Sequence, residues 1–432
     1  MKPENLPEKL VWYYIIGTYI IYFMGAQYVF APLLSYVLVF YVIKKWWNQT
    51  EDTPPEQRVR FTLSNWLWIV GMFIMYIALV MGHIDFGMGL PQIIRSTVNG
   101  WLRSWALLAL FPLAAHLDIR PKLIYRAIAI LCVQSLILIP LGYLFSMVGL
   151  PSKLYTSPLQ AFGGAALYNV NLLYQFDAAE GQARMFLFAP WAPALGMIGN
   201  MYFGIVQQEE HKKWRFWAMV GAAAMAVTSI SRLGIIALPF VPVAVWGWTN
   251  FFRPWMIFAS GFASLGLGLF APALIDFLNA VKNRFTQARA SSSHVRDVLN
   301  DMALYRWRTD APIWGHGILH PRGPRVVARM PVGSHHTWFG VLFLHGIVGF
   351  FALVIPLIWT AIEMLIKSQH SQTAKVTLHF LIVLFLFAFA ENIQGLAYLY
   401  WPGLILMGMA FKEKLIIWSD TDEKETYLIS DF

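Results

Sequence analysis

Apolar residues run through this chain in long blocks with short polar breaks, not in the alternating pattern of half-buried elements. As a helix, each block is long enough to cross roughly 30 Å of hydrocarbon. The first, Leu10 to Ile43, would be about 50 Å long as one helix, so it divides at Gly25-Ala26-Gln27 into two short spans. Further spans are predicted at 63–82, 100–117, 122–148, 185–206, 214–230, 232–248, 255–275, 338–366, 376–390 and 396–411, twelve in total. The predicted fold is therefore all-α: a polytopic membrane protein whose residues 1–432 form a single membrane domain.

Short-loop lysines and arginines are retained on the cytoplasmic side, which sets the orientation. Lys44-Lys45, Arg120 with Lys122, Lys212-Lys213-Arg215, Arg253, Lys367 with Lys375, and Lys412 with Lys414 all fall on one side of a twelve-span count, and 12 of 14 lysines are then cytoplasmic. Outside lie 149–184, the tight turn Ser229 to Arg232, the long loop 276–334 and the turn Glu391 to Gly395, while 415–432 form a short acidic cytoplasmic tail. No internal repeat is visible. The start of the chain, with Lys2, Glu4, Glu8 and Lys9, reads as a retained span and not as a cleaved leader.

Composition agrees with this picture. Hydrophobic residues make up 58% and charged residues only 13%, about half the usual soluble share, and no polar block is large enough for a soluble domain or a nucleic-acid surface. Cys132 is the single cysteine, so neither an intrachain disulfide nor a Cys-based metal site is possible. The long loop departs from the lysine pattern. It holds eight of the eighteen arginines and one lysine, Lys282, against Asp297, Asp301 and Asp310.

Within this loop Val295, Val298, Leu299, Met302 and Tyr305 recur at helical spacing behind Ser291-Ser292-Ser293, predicting an amphipathic helix over about 293–308. If it began earlier, Arg289 and Arg296, seven apart, would project the same way from it. Pro312, Gly315, Gly317, Pro321, Gly323 and Pro324 then predict an irregular return to the membrane. A guanidinium keeps its charge and offers a planar fork of donors, which suits repeated phosphate contact, although lipid headgroups or solvated loop surface would use the same residues. Arg232 stands between two apolar runs and Arg184 at the start of a Pro-rich one, positions that line a cavity or anchor an interface. The prolines at 190 and 193 predict an irregular, open start to that span. His335, in Ser334-His335-His336-Thr337, suits proton transfer or hydrogen bonding to a hydroxyl.

Arg296, then Pro312, Gly315-His316-Gly317, His335, Gly346 and Gly349 resemble in order and spacing the signature region of the O-antigen ligase and O-antigen polymerase superfamily. Ser231-Arg232-Leu233-Gly234 is similar to that family's Ser-Arg-Gly turn, and Arg184 with its Pro-rich sequel to its upstream Arg segment. The likeness covers roughly 180–350. Departures are His336 and Trp191 where the family has Asn, and Thr-Trp-Phe after the histidines.

The resemblance implies an inverting, metal-independent glycosyltransferase of the membrane GT-C type with no cofactor. Its donor is a glycan on undecaprenyl pyrophosphate, its acceptor a hydroxyl of a glycan or lipid-glycan, and its location the periplasmic side of the bacterial inner membrane. On that basis Arg184, Arg232 and Arg296, helped by Arg289 or Arg308, hold the departing pyrophosphate, and His335 orients or deprotonates the acceptor. No Asp-x-Asp motif occurs outside. Ligase and polymerase are not separated by the sequence, and a transporter or flippase of a lipid-linked glycan is the alternative from another class. In a Cys132→Ser background, Arg322→Cys should react with an impermeant thiol reagent added from outside and Lys212→Cys should not; reversed labelling would invert the topology.

Overall fold

The structure is a computed structural model that describes residues 1–54, 57–163, 165–177, 181–251, 253–273, 275–276, 279–280, 290–319, 323–324 and 330–414. Arg289 and the expected tail 415–432 lie outside the described residues. The chain is mostly helical. Helices α1 (Leu6–Ile16), α2 (Thr18–Phe23) and α3 (Gln27–Trp47) come first, then α4 (Leu63–Asp85) and the short α5 (Leu90–Ser96). A π-helix (Thr97–Trp105) leads into α6 (Ala106–Leu113), followed by α7 (Pro121–Met147), α8 (Ala192–Val206), α9 (Lys212–Thr228), α10 (Arg232–Asn250) and α11 (Pro254–Leu269). The amphipathic α12 (Ala290–Asp310) precedes α13 (Thr337–Lys367), α14 (Gln372–Phe387) and α15 (Ala397–Lys412).

Among the described residues six helices are long and apolar enough to cross a membrane: Gln27–Trp47, Leu63–Asp85, Pro121–Met147, Arg232–Asn250, Thr337–Lys367 and Ile393–Lys412. Three shorter apolar helices, Ala192–Val206, Pro254–Leu269 and Gln372–Phe387, cover other expected spans. The expected break near Gly25 is present, with Gly25 at φ 64° and α3 starting two residues later.

Four details differ from the expectations. First, the chain is not purely helical, because 153–185 holds two small antiparallel sheets: β1 (Lys153–Thr156) with β2 (Asn169–Asn171), and β3 (Tyr174–Asp177) with β4 (Gln182–Met185). This segment has no continuous apolar run, so its backbone groups find partners in short ladders. Second, α8 starts only at Ala192, and the stretch before it is closed, with Phe186 to Ala189 buried. Pro190 and Pro193 keep the helix from starting earlier, and the apolar side chains ahead of them pack inward.

Third, Tyr305 is exposed, whereas Leu299 and Ala303 form the buried face of α12 with Val332 and Phe343. At 100° per residue, Tyr305 lies at the edge of the stripe and Arg306 at its centre, where its guanidinium sits 5.5 Å from the Phe343 ring centroid and pairs with Asp310. Fourth, the α13 span is broken: Gly346 adopts φ 61°, ψ −163° inside it. The rings of Trp338 and Phe350 are 6.2 Å apart, although twelve residues of straight helix rise about 18 Å. The first turns of α13 therefore lie across the rest.

Residues 312–317 fill this break. The amides of Ile347 and Val348 donate to the carbonyls of Pro312 (3.0 Å) and Ile313 (3.3 Å), and those of His316 and Gly317 donate to Phe343 (2.8 Å) and Leu344 (2.9 Å). The approach leaves no room for side chains: a Cβ on Gly346 would stand 2.1 Å from the Ile313 carbonyl oxygen, and one on Gly315 2.4 Å from the His345 nitrogen. Gly82 of α4 admits the same segment.

The basic clusters gather at the other end of the bundle. Lys45 pairs with Asp118 at 3.1 Å, Arg120 with Glu8 at 2.7 Å, and Arg126 with Glu209 at 2.5 Å. Lys412 donates to the Ala115 carbonyl, and buried Lys367 pairs with Glu363 while donating to the last carbonyls of α15. Gly346→Ala should lower the detergent melting temperature by several degrees, since φ/ψ strain of this kind costs of order 1–3 kcal/mol before any clash. Gly266→Ala, which meets nothing within 4 Å, should leave it unchanged.

Candidate functional site

The candidate residues fall into two groups around the first turns of α8. In the first, β4 presents Arg184, whose Nε and Nη2 donate to the Ser229 carbonyl, each at 3.3 Å. That carbonyl belongs to the turn between α9 and α10. Here Ile230 takes φ 52°, a left-handed conformation unusual for a β-branched residue. Ser231 caps α10 by accepting from the Gly234 amide, and Arg232 is the first residue of that helix. Asn200 fixes the corner by donating to the carbonyls of Gly196 and Gly234, 2.8 Å each. Gly196 leaves room for it, since a Cβ there would stand 2.9 Å from Ser229 Oγ.

The second group forms where α8, α12, the start of α13 and the end of α14 meet. Thr337 donates its amide to the Ala388 carbonyl (2.9 Å) and its hydroxyl to the Glu391 carbonyl (2.6 Å). Asn392 donates to the Gly333 carbonyl at 3.2 Å, so the turn after α14 is tied to both sides of the histidine pair. His335 and Glu391, which the sequence shows only as part of a short turn, stand at this junction, and Arg296 is within electrostatic reach of both. The Glu391 carboxylate Oε2 accepts from Trp191 Nε1 at 2.9 Å.

Hydrogen bonding fixes the tautomer of His335. Ser334 has one hydroxyl proton, which it gives to the Pro331 carbonyl at 2.6 Å, so Oγ can only accept from His335 Nδ1 at 2.5 Å. Nδ1 carries the hydrogen, and Nε2 keeps a lone pair. Burial, and then the positive charge of Arg296, hold the imidazole below its ordinary pKa, so it is neutral at pH 7. His336 is pushed down to about 4 by burial; it caps α13 and stacks on Phe339. The opposite happens to Glu391: burial pushes it up to about 7, against the pull of Arg296 and of the Trp191 hydrogen bond. A carboxyl that changes charge near neutrality, beside a fixed guanidinium, is able to take up and return a proton.

Arg296 thus acts on both His335 and Glu391. Arg308 does not join them: twelve residues further along α12 it is a third of a turn away and exposed. His316, the centre of Gly315-His316-Gly317, is buried between Phe343 and Phe86 and bonds the Phe343 carbonyl, so it belongs to the filled helix break. Below the site an apolar cavity of about 250 Å³ runs between α13 and α14, with Trp338, Ala388 and Ile393 at its site end and Ala361 and Leu378 further along. The starts of α8, α10 and α13 all face the two groups, and helix N-termini add positive potential to that of the arginines.

Glu391 left a weak trace in the sequence, as an acidic residue in a short turn between apolar runs, where a charge needs a reason. Trp191 left none, because an indole at a span start reads as an interfacial anchor.

Residues 217–354 match the family model described as O-Antigen ligase, a stretch that contains Arg232, Arg296, His335 and the glycine pair at 346 and 349. No curated protein matches the chain. Replacing Arg296 with Gln should raise the pKa of His335, read from its imidazole carbon and nitrogen shifts by NMR. An unmoved titration would mean that the guanidinium and the ring are not neighbours.

Proposed function

From a chain that carries the domain of the O-antigen ligase superfamily, with an O-antigen ligase-type role in polysaccharide assembly, we propose the following reaction. A glycan linked to undecaprenyl pyrophosphate is transferred to an acceptor hydroxyl at the periplasmic face of a bacterial inner-membrane protein with twelve crossings and both termini inside. The observation that carries the reading is the buried junction at the start of α8, where Trp191 holds Glu391, Arg296 is within electrostatic reach of Glu391 and His335, and Arg184 bonds the turn that leads to Arg232. A transport role is not favoured by the family match.

In the proposed step the acceptor oxygen attacks the anomeric carbon, the bond from that carbon to the pyrophosphate oxygen breaks, and configuration inverts. Charge builds on the departing diphosphate, and guanidinium groups held in place beforehand lower the barrier there. Arg184, Arg232 and Arg296 take that role, and Arg289 remains a helper proposed from sequence. The lone pair at His335 Nε2 accepts a hydrogen bond from a neighbouring hydroxyl of the acceptor glycan and so orients the attacking one. Glu391 takes the hydroxyl proton, because its proton affinity is matched to neutral pH while the buried imidazole is the weaker base. The cavity between α13 and α14 receives part of the polyprenyl chain. Metal is not required by this scheme.

Arg296→Ala and Arg232→Ala should each abolish transfer, a loss of 100-fold or more being on the order expected for removing one preorganised donor, while the protein remains in the membrane. The decisive assay supplies purified protein with a lipid-pyrophosphate glycan and chelator and measures released lipid pyrophosphate. Full activity in both variants would remove the pyrophosphate clamp. A deletion strain separates the two branches: single repeat units indicate a lost polymerase, and long polymer still on its lipid a lost ligase.

A further inference from the structure

A polar partner of the Glu391 carboxyl comes from two hundred residues away, and its chemistry is specific. An indole has one N–H and no acceptor, so it can only donate, and such a bond strengthens when the acceptor becomes ionised. Trp191 directs that N–H at Glu391 Oε2 over 2.9 Å. Both ends are held. Trp191 is the last extended residue before α8; its carbonyl accepts from the Leu195 amide and its ring packs on the main core. The Glu391 amide donates to the Phe387 carbonyl, and its own carbonyl accepts from Thr337, so the carboxyl keeps only side-chain rotation. The hydrogen bond removes that rotation and sets where the second oxygen points.

We infer that Trp191 is a positioning residue for Glu391: its indole N–H fixes the carboxyl in the junction and favours the ionised form that receives the acceptor's proton. This rests on the proposed role of Glu391. An interfacial anchor would bury a ring in the same place, but it would not need a hydrogen bond to a carboxyl that is 6% exposed. Among the described residues, titratable groups on the surrounding elements are Arg296 of α12, His335 and His336 ahead of α13, and Tyr400 of α15, whose hydroxyl is committed to the Ile393 carbonyl. Arg296 is a charge that pulls Glu391 in the same direction as the indole, so each is expected to act without the other.

The sign follows from the donor. Removing the N–H takes support from the carboxylate and moves its titration to higher pH, by about one pH unit or more for a lost hydrogen bond to a charged group. The test uses the full-length protein in nanodiscs. The infrared band of the protonated Glu391 carboxyl, identified by its loss in Glu391→Gln, is titrated in the unmodified protein, in Trp191→Phe and in Trp191→Gln. The expected result is a higher midpoint in Trp191→Phe, a partial return in Trp191→Gln, which restores a donor, and a parallel shift of the acidic limb of the transfer rate. If Trp191→Phe folds poorly, the Trp191 indole ¹H–¹⁵N resonance of the unmodified protein serves instead. It should titrate with the carboxyl midpoint and stop titrating in Glu391→Gln.

A carboxyl midpoint unmoved in folded Trp191→Phe, or an indole resonance indifferent to Glu391, overturns the inference. A midpoint that moves while the rate profile stays put overturns the role of Glu391 as proton acceptor and leaves the bond between the two side chains standing.

Discussion

The architecture of the site depends on a broken helix whose loose backbone groups are taken up by another segment. At Gly346 the hydrogen-bond ladder of α13 stops, and amides and carbonyls on either side lose their helical partners. In an apolar interior such groups are costly unless they are paired. Residues 312–317 supply the partners in both directions, and only glycines at 315 and 346 allow the chains to approach closely enough. The break turns the first turns of α13 across the bundle, bringing the histidine pair to the turn after α14 instead of continuing along the helix axis.

The same packing sets the position of α12. That helix runs directly into the filling segment, and its Leu299 and Ala303 rest on Phe343, one turn before the break. Arg296 is thereby held a short way back along the helix, where its charge reaches both the imidazole and the carboxyl. The bulk of the α12 face comes from aliphatic side chains, with Arg306 laid over the Phe343 ring as part of the packing. Arginines of one loop thus have different roles: one faces the junction, one is structural and one, Arg308, is exposed.

Electrostatics at the two ends of the bundle follow different rules. Where Lys45, Arg120 and Arg126 gather, each has an acidic partner or a helix-end carbonyl, and the charges tie neighbouring helices together. At the site end, His335 is kept neutral and Glu391 is held near its titration point, both through burial more than through pairing. Burial without full compensation raises the energy of the charged forms, so it pushes the imidazole down, away from pH 7, and the carboxyl up, towards it.

Hydrophobic runs made most helices legible from the sequence, because a block of apolar side chains has few other ways to satisfy its backbone in lipid. Arginine rather than lysine in one loop, with the spacing of Gly315, Gly317, His335, Gly346 and Gly349, likewise marked the region that matches the O-antigen ligase family. The small sheets at 153–185, the closed start of α8 and the sharp turn at Gly346 depended on which distant backbone groups come within reach. Glu391 and Trp191 are the strongest case. The sequence marks Glu391 only weakly and Trp191 not at all, and their proximity comes from elements two hundred positions apart, so only the tertiary structure, by burying the carboxyl against the indole N–H, could give it a distinct chemistry.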